Sequence, residues 1–554
     1  MKTPIALNLT ILIGLIIFLL STTISLATNY YVDRNHSSAS DSNPGTLNSP
    51  WLTIQHAAET IVAGDTVFIR TGVYNENVYL ENDGNGTDGY IILSAYPGEI
   101  PVIDGAGVSD ADNGVIIDKS YIKLIGFEIR NWNENGIWIE NAAHLEISDC
   151  KVYDVYYGIG VADGTHDFEF NRVETYHFSL YGFDVSPSGG DDCYNGTFND
   201  CISHSGRDPE QNVDGFALGH GTQHDFTFNR CVTYEVYDGF DISSKNSTLN
   251  RCLAYNCWNG GYKLWQDNVK LVNCIGYNSS GSIVELDWDE QPGTTSLINC
   301  TFFNGETYTI WVENPGDKLR MYNCILAGGD NIGLAFEQMG VSNYEGDYNI
   351  FHNDNPYRAV AVAYTDEFSL DQITSGDWTT YSGQDAHSLV ESLDGNLFVN
   401  ASNFDLHIIE NSLAVDHGKS DLAPPIDFDG NPRPSGNDVD IGAYEYQFPV
   451  GIDLHDGGKY LPTTIKLFHN YPNPFNLFTH IYYQINKPAF VEMKIYNLNG
   501  EIIRRLIGQD QSPGQYDVQW DGNDVYGNRA SSGQYLCQLK VANSTDMIKL
   551  ILLK

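Results

Sequence analysis

The sequence predicts an all-β protein: a parallel β-helix solenoid followed by a small immunoglobulin-like β-sandwich. Three observations carry this. Short alternating segments recur about every 22 residues, no amphipathic helical segment lies between them, and one cysteine falls at a fixed phase of the repeat. Cys150, Cys201, Cys231, Cys252, Cys274, Cys300 and Cys324 each end a similar phrase, as in Val272-Asn-Cys274, Ile298-Asn-Cys300 and Tyr322-Asn-Cys324. The last five follow one another at intervals of 21, 22, 26 and 24 residues. A cysteine at one phase belongs to a stacked interior column, where a free thiol packs as a small hydrophobe. The ten cysteines are therefore read as reduced rather than as disulfides, even in an exported chain.

The elements follow in order. Met1 and Lys2 precede an apolar run from Leu9 to Leu20, broken only by Thr10 and Gly14, and Ser25-Leu26-Ala27 supplies small residues. Residues 1–27 read as a cleaved secretory signal. An N-terminal membrane anchor is the alternative, but the run is short for a span, and no later segment approaches ~18 consecutive apolar residues. Ile54, Ala57, Ala58 and Ile61 then mark one face of a helix that plugs the first coil.

The repeats themselves are half-buried strands such as Leu145-Glu-Ile-Ser, Phe168-Glu-Phe-Asn and Phe226-Thr-Phe-Asn. Each leads through an Asn/Asp/Gly-rich turn to a glycine phrase: Tyr157-Gly-Ile, Tyr181-Gly-Phe, Asp214-Gly-Phe, Asp238-Gly-Phe and Gly260-Gly-Tyr among them. The solenoid is placed at 28–448, with a terminal segment at about 395–446, a Gly/Pro-rich linker at 449–464 and the sandwich at 465–554.

The chain carries 29 Lys+Arg against 72 Asp+Glu, a formal charge of −43. That excludes a general nucleic-acid binder, which needs a basic footprint, and does not suit an anionic lipid surface. It suits a protein that meets divalent cations. Stacking the glycine phrases coil on coil makes Asp214 and Asp238 neighbours in one column. In a second column Asp241 neighbours Lys263, with Asp184 two coils below Asp241. Carboxylates ~5 Å apart repel unless a positive group lies between them, and Ca²⁺ with its flexible oxygen coordination meets that need. Arg207 and His220, on loops of the same region, are candidates to bind substrate carboxylates. Glu285, Asp287, Asp289 and Glu313 follow on later coils.

Several segments resemble known families. Tyr30-Tyr-Val-Asp with Gly72-Val-Tyr and Ala95-Tyr-Pro-Gly resembles the start of secreted right-handed β-helix proteins of the pectate-lyase type. Asp427-Phe-Asp-Gly-Asn-Pro-Arg-Pro with Asp438-Val-Asp-Ile-Gly-Ala-Tyr resembles a terminal segment of bacterial surface β-helix proteins. Tyr471-Pro-Asn-Pro-Phe-Asn, Trp520-Asp-Gly-Asn, Ser532-Gly-Gln-Tyr and the final Ile548-Lys-Leu-Ile-Leu-Leu-Lys resemble the sorting domain of the type IX secretion system. That resemblance implies export by the type IX machinery of a Gram-negative bacterium, to the cell surface or the medium.

Asn212-Val-Asp-Gly-Phe-Ala, Tyr237-Asp-Gly-Phe-Asp and Gly261-Tyr-Lys resemble the catalytic coils of family 9 polysaccharide lyases. The resemblance implies Asp214, Asp238 and Asp241 as calcium ligands and Lys263 as the base of a β-elimination on an acidic polysaccharide. The family's fourth aspartate is here Tyr237, and Asp184 is the candidate to replace it. The residues alone leave two alternatives open: a glycoside hydrolase using paired carboxylates, and a non-catalytic, calcium-stabilised adhesin or glycan-binding solenoid. The mature protein is expected to be a monomer without a transmembrane segment.

Overall fold

Residues 27–447 and 465–552 are described by the computed structural model, apart from positions 110, 188–189, 220–221, 287–292, 315, 330–331, 338–340, 364, 392–395, 472–474, 476–477, 486, 499, 513 and 543. All but the last residue of the expected signal segment and the whole expected linker lie outside the described residues. The chain divides into two units. The first runs to Asp347 and takes in Phe351–Ala386; the second holds Tyr348–Ile350 and everything from His387.

The first unit is built from stacked coils. One face is a sheet of 13 parallel strands, from Asn29–Val32 to Tyr344–Asp347, each paired with the strand one coil away. The other two faces form a second sheet of parallel ladders, with one antiparallel pair, Val360–Val362 with Asp366–Phe368. These two faces are joined where Lys151–Ala162 and Glu174–Val185 run unbroken through a corner, with a bulge between Val155 and Tyr157. Alternation explains the strands: in Ala143–Ser148, Leu145 and Ile147 are buried and Glu146 is not. The expected strands all form.

The corners explain the Asn/Asp-rich turns. One row of corner residues, including Asp154, His177, Ser205, Glu235, Asn256 and Asn278, has φ between 52° and 57°. Asparagine tolerates this left-handed backbone better than most residues. Its side chains also stack: Asn278 Nδ2 donates to Asn256 Oδ1 at 2.6 Å. At a second row, Arg172 forks onto Asp149 at 2.7 and 2.8 Å, and Arg230 onto Asp200 at 2.8 and 2.8 Å.

Inside, like stacks on like. Phe183, Phe216, Phe240 and Tyr262 form a column with centroid spacings of 4.7, 4.8 and 5.2 Å and nearly parallel rings. Each buried aromatic contributes about 1.5–3 kcal/mol by burial, before the stacking itself. All ten cysteines are free and buried. In the repeat column the thiols from Cys150 to Cys300 donate to a carbonyl of the preceding coil, as Cys252 Sγ does to Phe228 O at 3.5 Å and Cys274 Sγ to Leu249 O at 3.3 Å.

The expected N-terminal helix forms over Ile54–Thr60. Thr53 caps it through His56 N, and Ile54, Ala57 and Ala58 face inward. Gln55 bonds the backbone N–H and C=O of Tyr79, covering an edge of the strand Val78–Tyr79. That strand pairs on its other side with Val115–Ile117. An open sheet edge invites pairing with other chains, and this helix removes the first one.

In the second unit the Asp427–Arg433 and Asp438–Tyr446 signature is structural. The fully buried Arg433 pairs with Glu445 at 2.8 Å and donates to the carbonyls of Asp440 and Gly442. Further on, a three-stranded sheet (Lys466–Tyr471, Thr479–Ile485, Gly514–Trp520) and a four-stranded one (Ala489–Asn497, Ile502–Gln511, Gly533–Val541, Ser544–Leu552) are antiparallel throughout. They share a core that includes Ile481, Val491, Met493, Trp520, Cys537 and Leu550.

Candidate active site

Two rows of residues run along one face of the solenoid. In the first, Asn135, Tyr157, Tyr181 and Asp214 are successive register partners, and Asp238 takes the same place one coil on, because Phe216 pairs with Phe240. In the second, Trp138, Gly160, Asp184, Ala217, Asp241, Lys263 and Glu285 are successive partners. The columns inferred from spacing are therefore those of the structure.

Asp214 and Asp238 are fully buried and Asp241 is half-buried. One carboxylate oxygen from each lies within 4.8 Å of the other two. Their other contacts fix them in place. Asp214 accepts from Asn212 Nδ2 at 3.1 Å and from the Asp238 backbone N–H at 3.1 Å. Asp238 Oδ1 accepts from Asn259 Nδ2 at 2.8 Å and from Gly260 N at 2.7 Å. Asp241 Oδ1 accepts from the indole Nε1 of Trp265 at 2.5 Å.

The glycines after the two aspartates have a steric reason. A Cβ on Gly239 would stand 2.5 Å from Gly261 O, and one on Gly215 would stand 2.2 Å from Thr233 Oγ1. The coils pass too closely for any side chain there, which holds the aspartates against one another.

Burial, and then the charges of Asp238 and Asp241, push the Asp214 carboxyl far above the usual carboxylate range, with Lys263 pulling the other way. Three carboxylates so placed take up a proton or a cation. The donor set is oxygen only, which suits a hard divalent ion such as Ca²⁺. These three residues fit such an ion.

Lys263 lies between Asp241 and Glu285 in register, with Glu285 only 8% exposed. Its Nζ is 4.7 Å from the ring centroid of Trp265. Trp265 thus touches both the acid and the lysine, and its face attracts the ammonium.

The remaining predicted residues fall elsewhere. Asp184 is two coils before Asp241 and stays outside the three-carboxylate group; its partner is Ser186 Oγ at 2.5 Å. Burial raises its pKa to about 6. Arg207, a candidate for substrate carboxylates, pairs with Asp154 on a corner row at 2.8 Å. His220, Asp287 and Asp289 lie outside the described residues. Tyr237, at the position of the family's fourth aspartate, is half-buried, and its N–H donates to Val213 O at 2.7 Å.

Sequence reasoning missed Asn212, Asn259 and Trp265. A signal existed for two of them. Asn212 and Trp265 lie two residues from Asp214 and Lys263, where an extended chain returns to the same side. Asn259 is the counterpart of Tyr237 one coil later, visible only once the turn lengths are known.

Comparison with known proteins places the chain. The family model described as Pel9A-like, right handed beta helix region matches residues 30–337, more than half of the sequence. The chain belongs to this Pel9A-like family. A second model, the FlgD Ig-like domain, matches residues 479–545, within the antiparallel sheets of the second unit. The pectate lyase PEL9 of Emericella nidulans is 24% identical over 336 residues, covering 56% of this chain and 75% of that protein. The uncharacterized protein YwoF of Bacillus subtilis is 34% identical over 135 residues, 22% of this chain and 28% of its own length. Among solved structures, the GH136 lacto-N-biosidase of Eubacterium ramulus aligns at a TM-score of 0.42 and 13% identity, over 53% of this chain and 64% of that one.

Proposed function

We propose that the protein is a polysaccharide lyase that cleaves uronate-containing chains by β-elimination. Lys263 is the base, and Asp214, Asp238 and Asp241 hold Ca²⁺. The observation that carries this is the lysine's register position, one coil from Asp241, the half-buried member of the acidic triplet. Family membership and the relative described as a pectate lyase support the same class.

The chemistry follows from the residues. Lys263 Nζ takes the C5 proton of a uronate. The C5–H electrons form the C4–C5 double bond, the C4–O bond breaks, and the leaving oxygen is protonated by water. Bound Ca²⁺ supplies the positive charge that neutralises the substrate carboxylate and acidifies the C5 proton. A base must be unprotonated, and an ordinary lysine titrates near 10.4, so alkaline pH favours turnover. Trp265 orients the lysine and holds Asp241 in place through its N–H.

Asp214 and Asp238 are fully buried, so neither flanks a bond in an open cleft as paired hydrolase carboxylates do. The location we propose is the cell surface or the medium. Among the described residues no helix is long and apolar enough to cross a membrane.

The test is a screen of acidic polysaccharides with added Ca²⁺ and with chelator, reading the ultraviolet absorbance of unsaturated uronate. Product only with calcium supports the reading. Calcium-dependent melting with no product from any substrate favours the adhesin.

A further inference from the structure

The same two rows contain a second feature, centred on Trp138, four coils before Asp241. A cavity of about 680 Å³ opens there, within the ~300–1,000 Å³ range of small-molecule sites. Trp138, Tyr156 and Tyr157 give it aromatic walls, and Asn135, Glu134 and Asp184 give it polar ones.

Gly160 is the register partner of Trp138, and a Cβ on it would stand 2.7 Å from Trp138 Cε3. The indole therefore lies against bare backbone of the next coil. Asn135 is 5% exposed, and its Nδ2 donates to Asn113 Oδ1 at 2.8 Å. Its Oδ1 is buried against the next coil, 2.6 Å from where a Cβ on Gly160 would stand, so Asn135 packs the cavity wall. No lysine or arginine lines the cavity among the described residues, while two carboxylates do.

We propose that this cavity is a subsite for an uncharged sugar residue, held against Trp138 and Tyr156 with its hydroxyls toward Glu134 and Asp184. An aromatic wall takes the apolar face of a sugar ring. The carboxylates of Glu134 and Asp184 accept from hydroxyls but repel a uronate. Trp138 and Asp241 stand four strand spacings apart, ~19 Å, along one face, with Asp184 of the cavity wall midway between them. A single polysaccharide chain lying along the solenoid reaches both. This rests on the lyase reading for what fills the far end of the groove. It implies that the preferred substrate intersperses neutral sugars with uronates.

The test is calorimetric binding to the full chain carrying Lys263→Ala, with Ca²⁺ present, so that no turnover intervenes. The probes are a rhamnogalacturonan backbone, which alternates a neutral sugar with a uronate, and polygalacturonate, which has only uronates. Adding Trp138→Ala weakens rhamnogalacturonan binding by roughly tenfold and leaves polygalacturonate within about twofold. Tyr156→Ala, at a side chain 42% exposed and so tolerated by the fold, shifts affinity in the same direction. Equal losses for both polymers, or no loss for either, overturn the proposal. A selective loss combined with a wild-type chain that forms no unsaturated product upholds the subsite and sinks the lyase. Product without selectivity does the reverse.

Discussion

Asp238 donates its backbone N–H to the carboxylate of Asp214 across two adjacent coils, at 3.1 Å, with both residues fully buried. The bond does two things. It fixes the spacing of two acids that would otherwise repel, and it leaves the Asp238 carboxylate beside Asp214. A solenoid alone brings about this arrangement, because its rise sets the distance between like positions.

Calcium should therefore stabilise the protein. At a concentration 100 times its dissociation constant, a ligand that binds only the folded state adds about 2.7 kcal/mol. Differential scanning calorimetry should show a higher Tm with CaCl₂ than with chelator, and Asp241→Asn should abolish most of the shift. Affinity should rise with pH, since the proton held by Asp214 must leave before an ion enters. An unchanged Tm across calcium concentrations would contradict the site.

Asp184 predicts a pH effect of its own. Its folded pKa of about 6 lies above the ordinary value of 3.8 because burial disfavours the charge. The folded state thus holds a proton that the unfolded state loses first. Stability from this group is fully present below about pH 4 and is lost as pH rises through about 6. Asp184→Asn removes the loss. Guanidinium titrations should show the variant gaining on the parent between pH 4 and 6, by up to about 3 kcal/mol, with the gap constant above that. A gap that is flat from pH 4 upward would refute the assignment.

Gly239 tests the close approach of the coils. Gly239→Ala places a methyl against Gly261 O and Thr233 Cγ2, at 2.5 and 2.8 Å. The coils must part, at a cost of about 1–3 kcal/mol, and the calcium-induced rise in Tm should shrink with them. Full retention of both would mean that the glycine is not what sets the carboxylate spacing.

Much of this was legible in the sequence. The cysteine phase and the glycine phrases gave the period, and the period gave the columns that pair Asp214 with Asp238 and Asp241 with Lys263. Stacking is a local rule, so counting residues suffices. What counting cannot give is where a side chain goes when it leaves its coil. Arg207 reaches back to Asp154, 53 residues earlier, at a positive-φ corner, instead of pairing within its own coil. Trp265 bridges Asp241 and Lys263 across adjacent coils; strand alternation puts it on the side of Lys263, but its reach to Asp241 is set by the side chain's course, not by the period. The aromatic cavity escaped notice for the same reason: Trp138 lies against the next coil because its partner is Gly160, a relation that exists only in the register.

The measurement closest to the central claim is the absorbance of unsaturated uronate formed by Lys263→Ala, beside the wild-type chain, on the best acidic polysaccharide with calcium present. A positioned base accounts for about 10²–10⁴-fold in rate, so the variant should lose activity on that scale while keeping its calcium-induced Tm shift. Product accumulating at the wild-type rate would show that Lys263 is not the base.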